Sequence, residues 1–265
     1  MKTNINNLSV FTSGDTNSRP IIFVHGFPFD HRMWDAQIEK LSKYYHCITY
    51  DIRGLGESPA GDGQFTMDWF VDDLETIIDE LKLNLPVLCG LSMGGYISLR
   101  AMERMEEKFR ALILCDTKAL ADDNAGKIKR AEGIKSINES GVENFVEQFV
   151  PICFSENFRI KNKPEYEEVL IRSKSNSPIG VKGCLLAMAG RTDTTDYLPN
   201  ISIPTLIISG EKDKLTPPRV MKSMADQINN SEFYVVDEAG HMAPLEAADM
   251  VNEKMRSFLA EYSKP

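Results

Sequence analysis

Pro86 to Tyr96 reads P-V-L-C-G-L-S-M-G-G-Y, and no other stretch restricts the architecture as strongly. A short apolar run, Val87-Leu88-Cys89, gives way to Gly90-Leu91-Ser92-Met93-Gly94-Gly95 and then to the helix-compatible stretch Tyr96 to Met105. The segment therefore predicts a strand, a sharp turn and a helix, the context in which a G-x-S-x-G match is informative. A turn that tight forces its central serine into a sparsely populated backbone conformation and exposes the hydroxyl. Side chains at positions 90 and 94 would collide as strand and helix close on each other, which accounts for Gly90 and Gly94. Ser92 is the candidate nucleophile. The bland reading is a Gly-rich structural turn with an incidental serine, and the partners found along the chain weigh against it.

The rest of the chain alternates strand and helix patterns around this segment. Leu8 to Thr12 reads as an edge strand, and Pro20-Ile21-Ile22-Phe23-Val24 as a strand buried on both faces of a parallel sheet. Further strands are predicted at His46 to Tyr50, Ala111 to Leu114, Pro204 to Gly210 and Glu232 to Asp237. Between them, apolar residues at helical spacing predict helices over Trp34 to Leu41 and from an N-cap at Thr66 through Lys82. Helices over Pro217 to Ile228 and Glu246 to Tyr262 complete the pattern. Such alternation argues for a parallel α/β sheet with right-handed crossovers. From about Thr117 to Tyr197 no strong strand appears. Four helix-like stretches run there instead, Lys127 to Asn138, Val142 to Phe154, Pro164 to Ser173 and Pro178 to Met188. The expected organisation is a core formed by residues 1–116 and 198–265, with a helical cap inserted over residues 117–197.

Composition narrows the partners. A net charge of −9 and the absence of any basic run disfavour nucleic acid and anionic membrane surfaces, which are bound through clustered Lys and Arg. No 18-residue apolar run occurs, and no apolar segment follows Met1 to Asn7, so the expected location is the cytoplasm. Cys47, Cys89, Cys115, Cys153 and Cys184 are scattered without C-x-x-C spacing and read as buried, reduced thiols. Cys89, three residues before Ser92, lies on an apolar strand that would raise its pKa and make it a poor nucleophile.

A serine hydroxyl needs a base. Of His25, His31, His46 and His241, the last lies in Asp237-Glu238-Ala239-Gly240-His241-Met242-Ala243-Pro244, directly after the final strand, where ligands and catalysts collect in an open parallel sheet. His46 opens an apolar strand, His31 starts a helix without a supporting motif, and His25 is suited to shaping its own loop. The imidazole needs a carboxylate to fix its tautomer. Asp213, past another strand end, is the first candidate because the order serine, acid, histidine is the one this architecture uses. Asp116 and Glu211 are its rivals. For a developing oxyanion the candidate donors are the backbone N–H groups of Met93 and Phe27. Asp51 and Arg53 read as parts of a structural turn, and Trp34, Phe27 and Met93 either line a pocket or pack in the core.

Taken together, His25-Gly26-Phe27, Asp51-x-Arg53-Gly54-x-Gly56-x-Ser58, Gly90-x-Ser92-x-Gly94-Gly95, Gly210-x-x-Asp213 and Gly240-His241 resemble the α/β-hydrolase fold superfamily over nearly the whole chain. The resemblance implies a sheet of about eight strands, one more than the pattern yields, with the missing strand near the N-terminus. It maps the nucleophile, acid and base onto Ser92, Asp213 and His241, and the oxyanion amides onto Phe27 and Met93. Leu91-Ser92-Met93-Gly94-Gly95, Ala187-Met188-Ala189-Gly190-Arg191 before Asp193, and Pro217-Pro218 are similar to the 3-oxoadipate enol-lactonase and carboxylesterase branch. That branch implies cleavage of a small carboxylic ester or lactone through an acyl-enzyme. Similar phrases occur in carbon–carbon bond hydrolases and cofactor-free haloperoxidase-like enzymes, and some members of the superfamily serve as ligand receptors. No cofactor is implied, and the four histidines show no metal-ligand spacing.

Overall fold

The structure, a computed structural model, describes residues 1–261. Its elements run β1 (Lys2–Ile5), β2 (Leu8–Ser13), β3 (Pro20–Val24), α1 (Asp35–Leu41), β4 (His46–Tyr50), α2 (Met67–Glu80), β5 (Val87–Leu91) and α3 (Met93–Met105). After β6 (Ala111–Cys115) come α4 (Asn124–Cys153), α5 (Glu156–Lys161), α6 (Lys163–Lys174) and α7 (Pro178–Ala189). The chain then returns through β7 (Thr205–Gly210), α8 (Pro218–Ala225), β8 (Ser231–Val236), α9 (Ala243–Glu246) and α10 (Ala248–Glu261).

One eight-stranded sheet results, in the order β1-β2-β4-β3-β5-β6-β7-β8. Six of the strands are parallel, whereas β1 and β2 form an antiparallel hairpin on the β4 edge. This is the mostly parallel, helix-flanked architecture expected, and the eighth strand is the N-terminal β1. Its side chains are largely exposed and polar, and it is held by a turn at Asn6 and Asn7, both at positive φ, 50° and 65°. Two-residue hairpin loops favour that conformation and the Asn residues that tolerate it.

The chain passes from β3 outward to β4 and then back across to β5. A crevice at the carboxyl ends of β3 and β5 follows from that reversal, because the loops leaving the two strands diverge there. Every strand from β4 to β6 is buried along its whole length, and the helices on the two faces supply the covering apolar side chains. Thr66 caps α2 as expected, its hydroxyl accepting from Trp69 N–H at 3.1 Å.

Between β6 and β7 the chain is helical. Two predicted helices form one element, α4, interrupted at Gly141 with φ 85° and ψ 164°, so the expected break is present as a kink. The six-residue α5 was not anticipated. Helix α7 lies hard against the loop after β4: a Cβ on Gly180 would stand 1.8 Å from the Gly54 carbonyl oxygen. The predicted C-terminal helix is split at Ala247 (φ −135°, ψ 52°), so that Glu246 ends α9 rather than starting α10. Tyr262, its predicted end, lies outside the described residues.

Candidate active site

Ser92 sits between the last residue of β5 and the first of α3, at φ 53° and ψ −112°. A non-glycine residue held there stores about 1–3 kcal/mol of backbone strain, and neighbouring groups hold it in place. Its N–H donates to the Cys115 carbonyl at 3.0 Å, and its carbonyl accepts from the Thr117 hydroxyl at 2.8 Å and from Tyr96 N–H at 3.1 Å. The elbow closes because Gly90 and Gly94 lack side chains: a Cβ at 94 would lie 2.1 Å from the Val24 carbonyl oxygen, and one at 90 would lie 2.4 Å from that of Gly94.

His241 follows β8 and is almost fully buried. Its Nδ1 lies 2.8 Å from Asp213 Oδ2. The Asp213 carboxylate also accepts from the Thr216 hydroxyl at 2.6 Å, from Leu215 N–H at 2.7 Å and from Thr216 N–H at 3.1 Å. Burial alone would raise its pKa, but the facing imidazole and these donors win and hold it at about 2. The folding stability linked to this group is therefore complete above the ordinary carboxylate range and is lost only as the pH falls towards 2.

The two rival acids are placed elsewhere. Asp116, fully buried after β6 at φ 43°, uses Oδ1 to accept from Gly210 N–H at 2.7 Å, while its Oδ2 has no partner. Burial, reinforced by repulsion from Asp213, pushes its carboxyl well above the usual range, which favours the neutral form. Glu211 is exposed and accepts from Glu238 N–H.

The other histidines are occupied locally. His25 Nδ1 donates to the Gly26 carbonyl at 2.8 Å and Nε2 accepts from Ile52 N–H at 2.9 Å, which fixes its tautomer and ties the loop after β3 to that after β4. His31 pairs with Asp51 at 2.8 Å and stacks on Phe11. Asp51 also accepts from Glu57 N–H, and Arg53 pairs with Asp73 at 2.5 Å, so both are parts of the structural turn expected.

Ser92, His241 and Phe27 line one cavity of about 460 Å³. Phe145, Phe149, Ile152, Leu185 and Met188 wall it from the helical segment, and Lys118, Asp122, Lys129 and Arg130 lie at its polar side. Met93 and Trp34 are instead buried in the core. Met93 is the first residue of α3, where the helix offers its N–H no acceptor.

Four side chains support the site in ways the sequence alone did not assign. Thr216 buttresses Asp213, and the D-x-x-T spacing before Pro217 was its signal. Glu246 accepts from Ser155 N–H at 3.0 Å and from Met242 N–H at 3.4 Å, joining the His241 loop to the start of α5. Burial raises its carboxyl pKa against those hydrogen bonds. Arg191 stacks 4.0 Å over the Tyr96 ring and donates to the Ala119 and Leu120 carbonyls, and Asp193 accepts from Ala121 N–H at 2.9 Å. Together these two side chains hold the segment that leads from β6 past the cavity.

A parallel sheet with a strained serine elbow after β5, an acid after β7 and a buried histidine after β8 defines the α/β-hydrolase class. The family model for the alpha/beta hydrolase fold matches residues 19–248, and the chain belongs to that family. It is 30% identical to 3-oxoadipate enol-lactonase 1 of Acinetobacter baylyi, over 95% of this chain and 92% of that one. A thermophilic esterase from Thermogutta terrifontis superposes with a TM-score of 0.94 at 33% identity, covering 100% of both chains. The enol-lactonase of Burkholderia xenovorans shares the fold, with a TM-score of 0.90 at 23% identity over 98% of this chain and 100% of that one. Among the described residues no helix is long and apolar enough to cross a membrane, and no group of His, Cys, Asp and Glu is placed to hold a metal ion.

Proposed function

We propose that this protein is a serine hydrolase that cleaves a small carboxylic ester or lactone through an acyl-enzyme. The observation that carries the reading is the convergence of Ser92 and the Asp213-bound His241 on one cavity. In this reading His241 takes the Ser92 proton through Nε2 while Nδ1–H donates to Asp213, which stabilises the imidazolium. The same imidazole then protonates the leaving oxygen. The N–H groups of Phe27 and Met93 receive the oxyanion, each donor contributing about 2.7–4 kcal/mol by comparison with other hydrolases. The helical segment over residues 117–197 acts as a cap whose aromatic and aliphatic side chains exclude water and size the acyl group. Relatives named as an enol-lactonase and an esterase support the same reaction class, and five buried, unpaired cysteines fit a cytoplasmic location.

The test is stopped-flow cleavage of a p-nitrophenyl acyl series from acetate to octanoate. A burst of p-nitrophenol stoichiometric with enzyme, followed by steady turnover, is the expected result. Absence of both burst and turnover with every ester and with simple lactones would reject the reading.

The cavity's cations refine the substrate. Lys118 and Arg130 are paired with Asp122, whereas exposed Lys129 pairs with no carboxylate among the described residues. A substrate carrying its own carboxylate gains from this lip. Because an exposed ion pair contributes at most about 1 kcal/mol, Lys129→Ala should lower kcat/KM for mono-p-nitrophenyl succinate up to about fivefold and leave p-nitrophenyl butyrate unchanged.

Glu246 serves His241 at one remove. Glu246→Ala strands the N–H groups of Ser155 and Met242, an expected loss of about 1–3 kcal/mol in thermal melts. Misplacement of the His241 loop should lower kcat by up to about 100-fold with KM little changed. Glu246→Gln keeps one of the two acceptor oxygens and sets an NH₂ against the other N–H, so it should recover only part of both losses.

A further inference from the structure

A second cavity, of about 550 Å³, lies at the opposite end of the sheet from Ser92. Its basic residues arrive there by topology. His46 opens β4 and Pro20 opens β3, and the two are register partners, with His46 N–H donating to the Arg19 carbonyl at 3.0 Å. Arg110 immediately precedes β6 and donates its N–H to the Pro86 carbonyl at 3.2 Å. Since β4, β3, β5 and β6 are neighbours in that order, the amino-terminal ends of β4, β3 and β6 bring His46, Arg19 and Arg110 to the lining of one cavity. Lys82, in the loop entering β5, completes the set.

We propose that this crevice is a binding site for a small polyanion whose phosphate or carboxylate oxygens meet Arg110, Lys82 and His46. The chain carries 39 acidic and 30 basic residues, yet no Asp or Glu lines this cavity. Elsewhere Arg53, Arg100, Arg104 and Lys108 are neutralised by carboxylates, but Lys82 and Arg110 pair with none among the described residues. A second observation concerns a residue that lines the same cavity. His46 is only 6% exposed, and its buried Nε2 has no hydrogen-bond partner among the described residues. A buried ring nitrogen left without a partner is costly unless a ligand or water meets it. Burial lowers the His46 pKa, against the field of Asp15, whose own carboxylate is turned onto Asn17. The neutral ring can donate from Nε2 to an anionic oxygen. The Thr12 and Asn84 side chains beside these groups add uncharged hydrogen-bonding capacity, and the volume suits a small organic anion. The site stands apart from the Ser92 cavity, so its test does not depend on the hydrolase reading.

Isothermal titration of the full chain with sodium pyrophosphate, and separately with citrate, at physiological ionic strength tests the proposal. Saturable one-to-one binding of at least one probe is expected, with displacement of the His46 imidazole resonances in a nitrogen–proton correlation spectrum. Pyrophosphate alone would mark a phosphate site and citrate alone a carboxylate site. The pair Lys82→Ala and Arg110→Ala, both outside the core, should weaken binding at least about tenfold, whereas Lys129→Ala at the other cavity should leave it unchanged. Failure of both probes to bind would overturn the proposal, as would unaltered binding by the double variant or loss of binding in Lys129→Ala.

Discussion

Ser92→Ala loses ester turnover while the protein stays folded. The expected fall in kcat is about 10⁶-fold, the scale found when the nucleophile of a serine protease is removed. The residual rate would come from the proposed oxyanion donors and from binding, which the substitution leaves in place. Stability should change by no more than about 0.5 kcal/mol, because the Ser92 hydroxyl has no partner among the described residues and the backbone bonds to Cys115, Thr117 and Tyr96 are untouched. Steady-state kinetics beside a thermal melt reads both. A variant that cleaves esters normally would sink the assignment of Ser92. The strain at φ 53° supplies a second readout. Ser92→Gly should be equally inactive yet at least as stable as Ser92→Ala, because glycine meets a lower steric cost there. That ordering is expected only if the elbow holds its serine against the backbone's preference, trading stability for an exposed nucleophile.

The sheet and the elbow were legible in the sequence for one physical reason. Buried parallel strands such as Ile21 to Val24 must be continuously apolar, and a strand–helix turn where an added Cβ would lie 2.1 Å from a neighbouring carbonyl oxygen admits only glycine at position 94. Asp213 and His241 were legible because both directly follow such strands. β1 left a weaker trace: an edge strand with exposed Lys2, Thr3 and Asn4 has no apolar pattern to read. The break at Ala247 carries neither Gly nor Pro, so nothing in the sequence marked Glu246 as lying before the break and the helix as starting at Ala248. Cavity walls were hidden for a different reason. Phe145 and Phe149 occupy the apolar face of a helix, and periodicity cannot tell a face that meets a core from one that meets a substrate. Thr216 and Glu246 act on partners set by tertiary structure, and for Glu246 one of those is the backbone of Ser155, 91 residues away.

Asp213→Asn and Asp116→Asn should separate sharply, although both carboxyls lie at carboxyl ends of neighbouring strands. At position 213 the amide removes the charge facing His241 Nδ1 and can present an N–H where an acceptor is needed, favouring the wrong imidazole tautomer. The expected cost in kcat is about 10⁴-fold, as for the corresponding substitution in a serine protease. At position 116 burial and the neighbouring Asp213 push the native carboxyl towards its neutral form. An asparagine keeps the oxygen that accepts from Gly210 N–H and sets its NH₂ where Oδ2 has no partner, so kcat should hold. Stability should move the other way. In the wild type the unfolded chain ionises Asp116 more readily than the folded chain, so this residue favours unfolding as the pH rises above the ordinary carboxylate range. Asp116→Asn abolishes that term. Its melting temperature should exceed that of the wild type at pH 7, with the gap narrowing as the pH falls towards about 4. Loss of turnover in Asp116→Asn with turnover retained in Asp213→Asn would transfer the acid's role to the strand-β6 carboxyl and reject the hydrogen bond at 2.8 Å as the one that orients the base.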